Sequence, residues 1–252
     1  MHFRFPHHLL LSLIILFSNW SCSSNVEGCL EEGSCGPVIN VANYEGSLPD
    51  NPFDPFWNGE QSPAPIKIEL QICFRTFSYN DPEFLVLALI SRIFDDGFTS
   101  RLQRILREER GLVYSVECRS TSMSDLGTMD FDVTVRQEKV VEVTRILLKE
   151  IKNFCKEGPT AKELAHIKKR YFFDLDSELD DPQRQVVRYA FPHLYSREMS
   201  LDEERNIIES ISAERMLQVA EKVFDSKRLN LILVGPFTPK LQSQLKELIC
   251  HF

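Results

Sequence analysis

The clearest alternation of apolar and polar positions lies at 66–77 (IKIELQICFRTF) and predicts a strand. Asp81-Pro82 then opens a helix to about Phe94, with proline in its first turn, and Asp96-Gly97 breaks it. Ser100 followed by Gln103 reads as a capping box for a second helix to Arg110. Its apolar Leu102, Ile105 and Leu106 share a face, and Gly111 ends it as a left-handed cap. Two strands, 113–120 and 128–136, are joined by a turn at 124–127. A long helix over about 139–156 carries Val140, Val143, Ile146, Leu147 and Ile151 on one side, and Gly158-Pro159 stops it. Thr160 with Glu163 caps the next helix, which reaches about Glu178. Asp181-Pro182 restarts a helix across 185–193, and serine-led helices follow at 200–210 and 212–224. A buried strand at 228–234 (RLNLILV) and a closing helix at 239–249 complete the pattern. Hairpin-joined strands beside runs of helices predict an α+β fold, a mostly antiparallel sheet packed against helices, rather than a doubly wound one.

Before residue 65 this regularity is absent. Residues 1–65 hold 7 of the 13 prolines and 5 of the 10 glycines. One basic side chain, Arg4, stands there against seven acids, so six of the eight net negative charges belong to this segment and the remainder of the chain is close to neutral. The apolar run 9–17, broken by Ser12, is too short to span a bilayer but suits the core of an export signal over residues 1–24. Cys22, among small residues, is a candidate for lipidation, although the leucine expected three positions upstream is missing. Export would place the protein in a periplasm or on a membrane as a lipoprotein; the alternative is a rearranged start with no targeting role. Residues 25–64 read as acidic, Pro/Gly-rich linker, in which Phe53, Phe56 and Trp57 form an unusual aromatic cluster. The globular domain is then expected at 65–252.

The acidic balance argues against a nucleic-acid partner, which needs a basic surface. Seven scattered cysteines do not make a disulfide scaffold; Cys22, Cys29 and Cys35 could pair after export, whereas Cys73, Cys118 and Cys155 read as small buried residues. Asp174, Asp176, Glu178, Asp180 and Asp181 superficially suggest a calcium loop, but the turn glycine is missing and the context is helical, so an acidic helix face is expected. Lys168-Lys169-Arg170 is a short basic run flanked by acids and reads as a solvated face. The remaining candidates are Arg107, in the last turn of its helix, and Tyr114, on the strand that leaves Gly111. A guanidinium fork and a phenol brought to one cleft suit a peptide carbonyl or a tetrahedral oxyanion. Spacing alone leaves open the plainer alternative, an arginine pairing with Glu108 or Glu109 and a half-buried tyrosine.

The stretch 95–117 (DDGFTSRLQRILREERGLVYSVE), taken with the order of elements around it, resembles the C-terminal half of the M16 metallopeptidases, the pitrilysin, insulin-degrading enzyme and mitochondrial processing peptidase family. The resemblance covers about residues 66–249 and implies a single domain of the LuxS/MPP-like metallohydrolase type. In that half of the family an Arg and a Tyr seven residues apart help to bind peptide substrate near the zinc of the other half; matched onto this chain they are Arg107 and Tyr114. The family's inverted His-x-x-Glu-His zinc motif has no counterpart among His2, His7, His8, His166, His193 and His251. The resemblance therefore implies a chain beginning in the inter-half linker, with no catalytic residue and no metal ligand of its own. It would be a non-catalytic, substrate-binding subunit or half, inactive alone, that pairs with a zinc-bearing partner half. Two alternatives stay open: a non-proteolytic binding or assembly protein with the same fold, and a truncated fragment of a full-length peptidase.

Overall fold

The computed structural model describes residues 38–42, 67–195, 197–236 and 238–252. The export segment 1–24 with Cys22, the cysteines Cys29 and Cys35, and the Phe53, Phe56, Trp57 cluster lie outside the described residues. Among the described residues five strands form one sheet: β1 (Val38–Ala42), β2 (Lys67–Thr76), β3 (Val113–Ser122), β4 (Gly127–Arg136) and β5 (Leu229–Val234), in the order β1-β5-β2-β4-β3. β2, β3, β4 and β5 pair antiparallel, and β1 joins β5 in parallel, Val38 opposite Asn230 through Ala42 opposite Val234. The α+β reading therefore holds, with one correction. The segment 25–64, read as linker, contributes a strand at Val38–Ala42.

One face of the sheet is packed under helices. Ile68, Leu70, Ile72 and Phe74 of β2 point into it, as do Met129, Phe131, Val133 and Val135 of β4 and the leucines of β5, all buried. Against them lie α1 (Phe84–Phe94), α2 (Val140–Glu157) and α6 (Ala213–Val223), whose apolar faces close the core. Among the described residues six phenylalanines interlock there; Phe94 sits 5.2 Å from Phe131 and 5.1 Å from Phe154, and Phe74 sits 5.0 Å from Phe224 and 5.7 Å from Phe252. Two of these pairs, Phe94–Phe131 and Phe74–Phe224, meet edge to face, which adds to area burial because ring edge and ring face carry opposite partial charge.

Three further helices, α3 (Ala161–Glu178), α4 (Pro182–Leu194) and α5 (Leu201–Ser210), follow α2, and α7 (Pro239–Cys250) closes the chain. The capping boxes expected at Thr160/Glu163 and Ser200/Glu203 are both formed. The one expected at Ser100/Gln103 is not. Ser100 Oγ donates instead to the Gly97 carbonyl (2.7 Å), and the Gln103 amide turns to the sheet edge. The helix there widens into a π-helical segment, Gln103–Glu108, with Glu109 N–H reaching back to the Arg104 carbonyl (2.9 Å). Gly111 ends it at φ 56°, as a left-handed cap residue must.

Candidate functional site at the start of β3

Arg101 holds the π-helical segment in place. Its Nε and Nη2 grip both carboxylate oxygens of Glu163 (2.7 and 2.9 Å), Nη2 also donates to the Gly158 carbonyl (3.0 Å), and Nη1 reaches Glu150 (3.3 Å). The guanidinium also lies over the Phe154 ring at 5.2 Å. One side chain thereby pins this segment to α2 and α3. Burial works against ionising Glu163, but Arg101 and the Thr160 hydrogen bonds outweigh it and pull the carboxyl down to about 2.

Asp95 and Gln103 tie the same segment to β3. Asp95 accepts from the Cys118 N–H (3.1 Å) and from Gln103 Nε2 (3.1 Å), while Gln103 also donates to the Val116 carbonyl (2.8 Å). Burial pushes the Asp95 carboxyl up, partly offset by these two donors. β3 is an edge strand of the sheet, and these side chains satisfy main-chain groups on its outer edge that would otherwise invite pairing.

The expected pair is set on this platform. Val113 lies opposite Val135 and Ser115 opposite Thr134, so Tyr114 is the extra residue of a β-bulge. The bulge lets Val113 and Val116 both enter the core and leaves the Tyr114 phenol 77% exposed, with the Lys67 ammonium 5.0 Å above its ring. Arg107 stands in the last turn of the π-helical segment, half exposed, 3.8 Å from Glu108 and 5.9 Å over the ring of Phe98. Arg107 and Tyr114 thus engage different neighbours, and the pairing with Glu108 that spacing had left open is present. Phe98 is 72% exposed beside Gly97, an aromatic that sequence reasoning passed over.

The other candidates resolve into structure. Asp174 pairs with Arg92 (2.5 Å), Asp176 with Arg205, and Glu178 with Arg184 (3.0 Å) and Arg188 (3.7 Å), so ion pairs rather than a calcium ion occupy the acidic run. Arg170 of the basic run pairs with Asp96 (2.9 Å), and Lys168 caps the Glu209 carbonyl (2.5 Å). His166 is exposed, His193 faces Glu198 (3.1 Å) on the surface, and the His251 carbonyl accepts from Lys152. Among the described residues no group of three His, Cys, Asp or Glu side chains is arranged to hold a metal ion, so the residues present do not fit a zinc site. Nor, among them, is any helix long and apolar enough to cross a membrane.

A cavity of about 850 Å³ opens at the other end of β3, walled by Ser120–Met123, Tyr79, Tyr171 and Tyr195. Its charged groups are already engaged: Glu204 accepts from Tyr171 and Arg188, and Arg184 pairs with Glu178 (3.0 Å) and Asp181 (3.5 Å). Six residues of strand, about 20 Å, separate its nearest wall residue on β3, Ser120, from Tyr114.

Comparison with known proteins agrees with this architecture. Residues 43–171 match the family described as the peptidase M16 inactive domain. An uncharacterized zinc protease of Mycobacterium tuberculosis is 25% identical over 166 residues, 65% of this chain and 38% of that protein. One of Streptomyces coelicolor is 25% identical over 164 residues, 65% of this chain and 36% of its own length. The chain thus spans less than two fifths of the length of these relatives. In fold it resembles the crystal structure of a peptidase M16 inactive domain from Pseudomonas fluorescens, with a TM-score of 0.66 at 19% identity over 81% of this chain and 44% of that one. A protease from Helicobacter pylori gives the same TM-score at 15% identity over 81% and 45%.

Proposed function

The chain belongs to the peptidase M16 inactive-domain family, and from that premise we propose that it is the substrate-facing, non-catalytic half of a two-part zinc protease. A zinc-bearing half supplies the metal and the activated water, which this chain's own described residues are not arranged to provide. Arg107 and Tyr114 do the work on this side. The Arg107 fork donates to a peptide carbonyl or to the oxyanion that forms from it, and the Tyr114 hydroxyl adds a second donor. The observation that carries the reading is the bulge in β3. It spends one residue of an edge strand on turning a tyrosine away from the core, next to a helix end that carries an arginine.

The proposal includes a main domain at 65–252 whose sheet takes Val38–Ala42 from the segment before it, an export segment at 1–24, and Cys22 as the place where a lipid would attach; metabolic labelling with a tritiated fatty acid, with Cys22→Ser as control, tests the lipid. The substrate role is tested by combining the chain with a His-x-x-Glu-His-bearing half and following a quenched fluorescent peptide. Arg107→Ala is expected to lower kcat/KM by about a hundredfold and Tyr114→Phe by about tenfold, the scale of losing one preorganised donor. Full activity in both variants would refute the assignment.

A further inference from the structure

The seven cysteines of the chain are not in one state. Cys73, Cys118 and Cys155 are free thiols. Cys250, the last residue of α7, is in a disulfide. Its partner is therefore one of the three cysteines that precede β1: Cys22, Cys29 or Cys35.

Strand register favours one of them. β1 lies beside β5 with Val38 opposite Asn230, so the chain enters the sheet at the end where β5 begins. α7 runs back from the far end of β5 and finishes at that same end. There the Phe252 ring packs 5.7 Å from Phe74, which stands opposite Leu229, the first residue of β5. The end of α7 is fixed in place. Ile249 is buried, the His251 carbonyl accepts from Lys152 of α2 (2.9 Å), and the Lys152 ammonium lies 5.1 Å over the Phe252 ring. Cys250 stands on the exposed side of this helix end. Cys35 comes three residues before Val38, at most about 10 Å of extended chain. The compact unit that holds the sheet runs from Cys35 to Phe252, and so includes Cys35 but neither Cys22 nor Cys29. The shortest tether is also the one that costs least to order.

We propose that Cys35 and Cys250 form a disulfide that staples β1 to the closing helix. β1 is the element that gains most from a staple: it has five residues, lies at a sheet edge, and pairs in parallel, the pairing that is slightly weaker per residue. The bond forms by exchange with a small disulfide such as glutathione disulfide. One cysteine thiolate attacks it and releases one thiol; the second cysteine displaces the other half from the mixed disulfide. Two protein thiols thus become one S–S bond, and the carrier leaves as two thiols with the two electrons and two protons. The bond persists in an oxidising compartment and is lost in a reducing one. Its reduction leaves β1 held by main-chain pairing and packing alone, and a β1 that detaches bares the β5 edge. β1 and β3 are opposite edges of the sheet, so this inference stands apart from any role of Arg107 and Tyr114.

Mass spectrometry of the full chain decides the pairing. The chain is folded with glutathione disulfide, alkylated, and cleaved after glutamate without reduction. Glu27, Glu31, Glu32 and Glu45 put Cys22, Cys29 and Cys35 on separate peptides, and Glu247 isolates Cys250. The expected product joins peptide 33–45 to peptide 248–252. Cys250 joined to Cys22 or Cys29, or found alkylated, overturns the assignment. Hydrogen exchange tests what the bond does. Dithiothreitol added to the native chain should speed exchange of the 38–42 amides about tenfold or more and lower the melting temperature by about 5 °C or more. Exchange in the paired β2 and β4 should stay within about twofold. Cys250→Ser should exchange fast at 38–42 without reductant and change no further when it is added; if this variant does not fold, the reductant arm on the unaltered chain decides alone. Exchange at 38–42 that is indifferent to the reductant overturns the staple even where the bond is found.

Discussion

Replacing Glu163 by glutamine removes a charge from the clamp that positions the Arg107 helix, and the structure sets the size of the effect. A carboxyl drawn from 4.5 to about 2 is held by roughly 3 kcal/mol, at about 1.4 kcal/mol per pH unit. Glu163 is 30% exposed, and solvent screening leaves about 2 kcal/mol of that. Because the folded carboxyl lies below its unfolded value, the stabilisation is present in full above about pH 5 and fades as pH falls toward 2. Urea unfolding of the unaltered chain and of Glu163→Gln should therefore show a gap of about 2 kcal/mol at pH 7 that falls by about half or more at pH 3. In a double-mutant cycle with Arg101→Met, whose guanidinium is 11% exposed, the two changes should couple by at least about 1 kcal/mol. A gap that does not vary with pH, or a coupling indistinguishable from zero, would refute the claim that this ion pair is what anchors the segment.

Two glycines should behave in opposite ways. An alanine Cβ at Gly127 would sit 2.2 Å from the Phe77 carbonyl and 2.8 Å from that of Thr121, so Gly127→Ala should cost about 3 kcal/mol or more; Gly111→Ala meets nothing within 4 Å but keeps φ 56°, and should cost only about 1 kcal/mol. Urea midpoints that rank the two the other way would contradict the strand and turn geometry. Burial raises the thiols of Cys73 and Cys118 and pushes Cys155 up to about 11, so at pH 8 all three should resist an aromatic disulfide reagent in the native state and react on unfolding. Rapid native labelling of Cys73→Ser protein at Cys118, read by mass spectrometry, would mean that the edge of the sheet opens.

Features settled by near neighbours in the chain were legible from it. Thr160 and Glu163 close a box within one turn, as do Ser200 and Glu203, and the alternation at β2 needs no distant partner. Ser100 and Gln103 have the same spacing and fail, because Gln103 is claimed by Asp95 and by Val116 on a strand that only the folded chain brings near. Val38–Ala42 was missed for a different reason. A short strand in parallel pairing shows an almost continuous apolar run rather than alternation, and proline and glycine surround this one. At the candidate site, the motif pointed to Arg107 and Tyr114 by resemblance alone. The anchoring role of Arg101 depends on Glu150 and Glu163, which only the folded chain brings beside it.

The irregularity at Tyr114 has a bearing on how variation can reach this surface. Sliding β3 past β4 by one position would carry the phenol inward and Val116 out to solvent, so the direction of the ring is enforced by a residue count and not by anything the ring touches. Point replacements among its neighbours can change what the tyrosine meets, but only an insertion or deletion in the strand can turn it around.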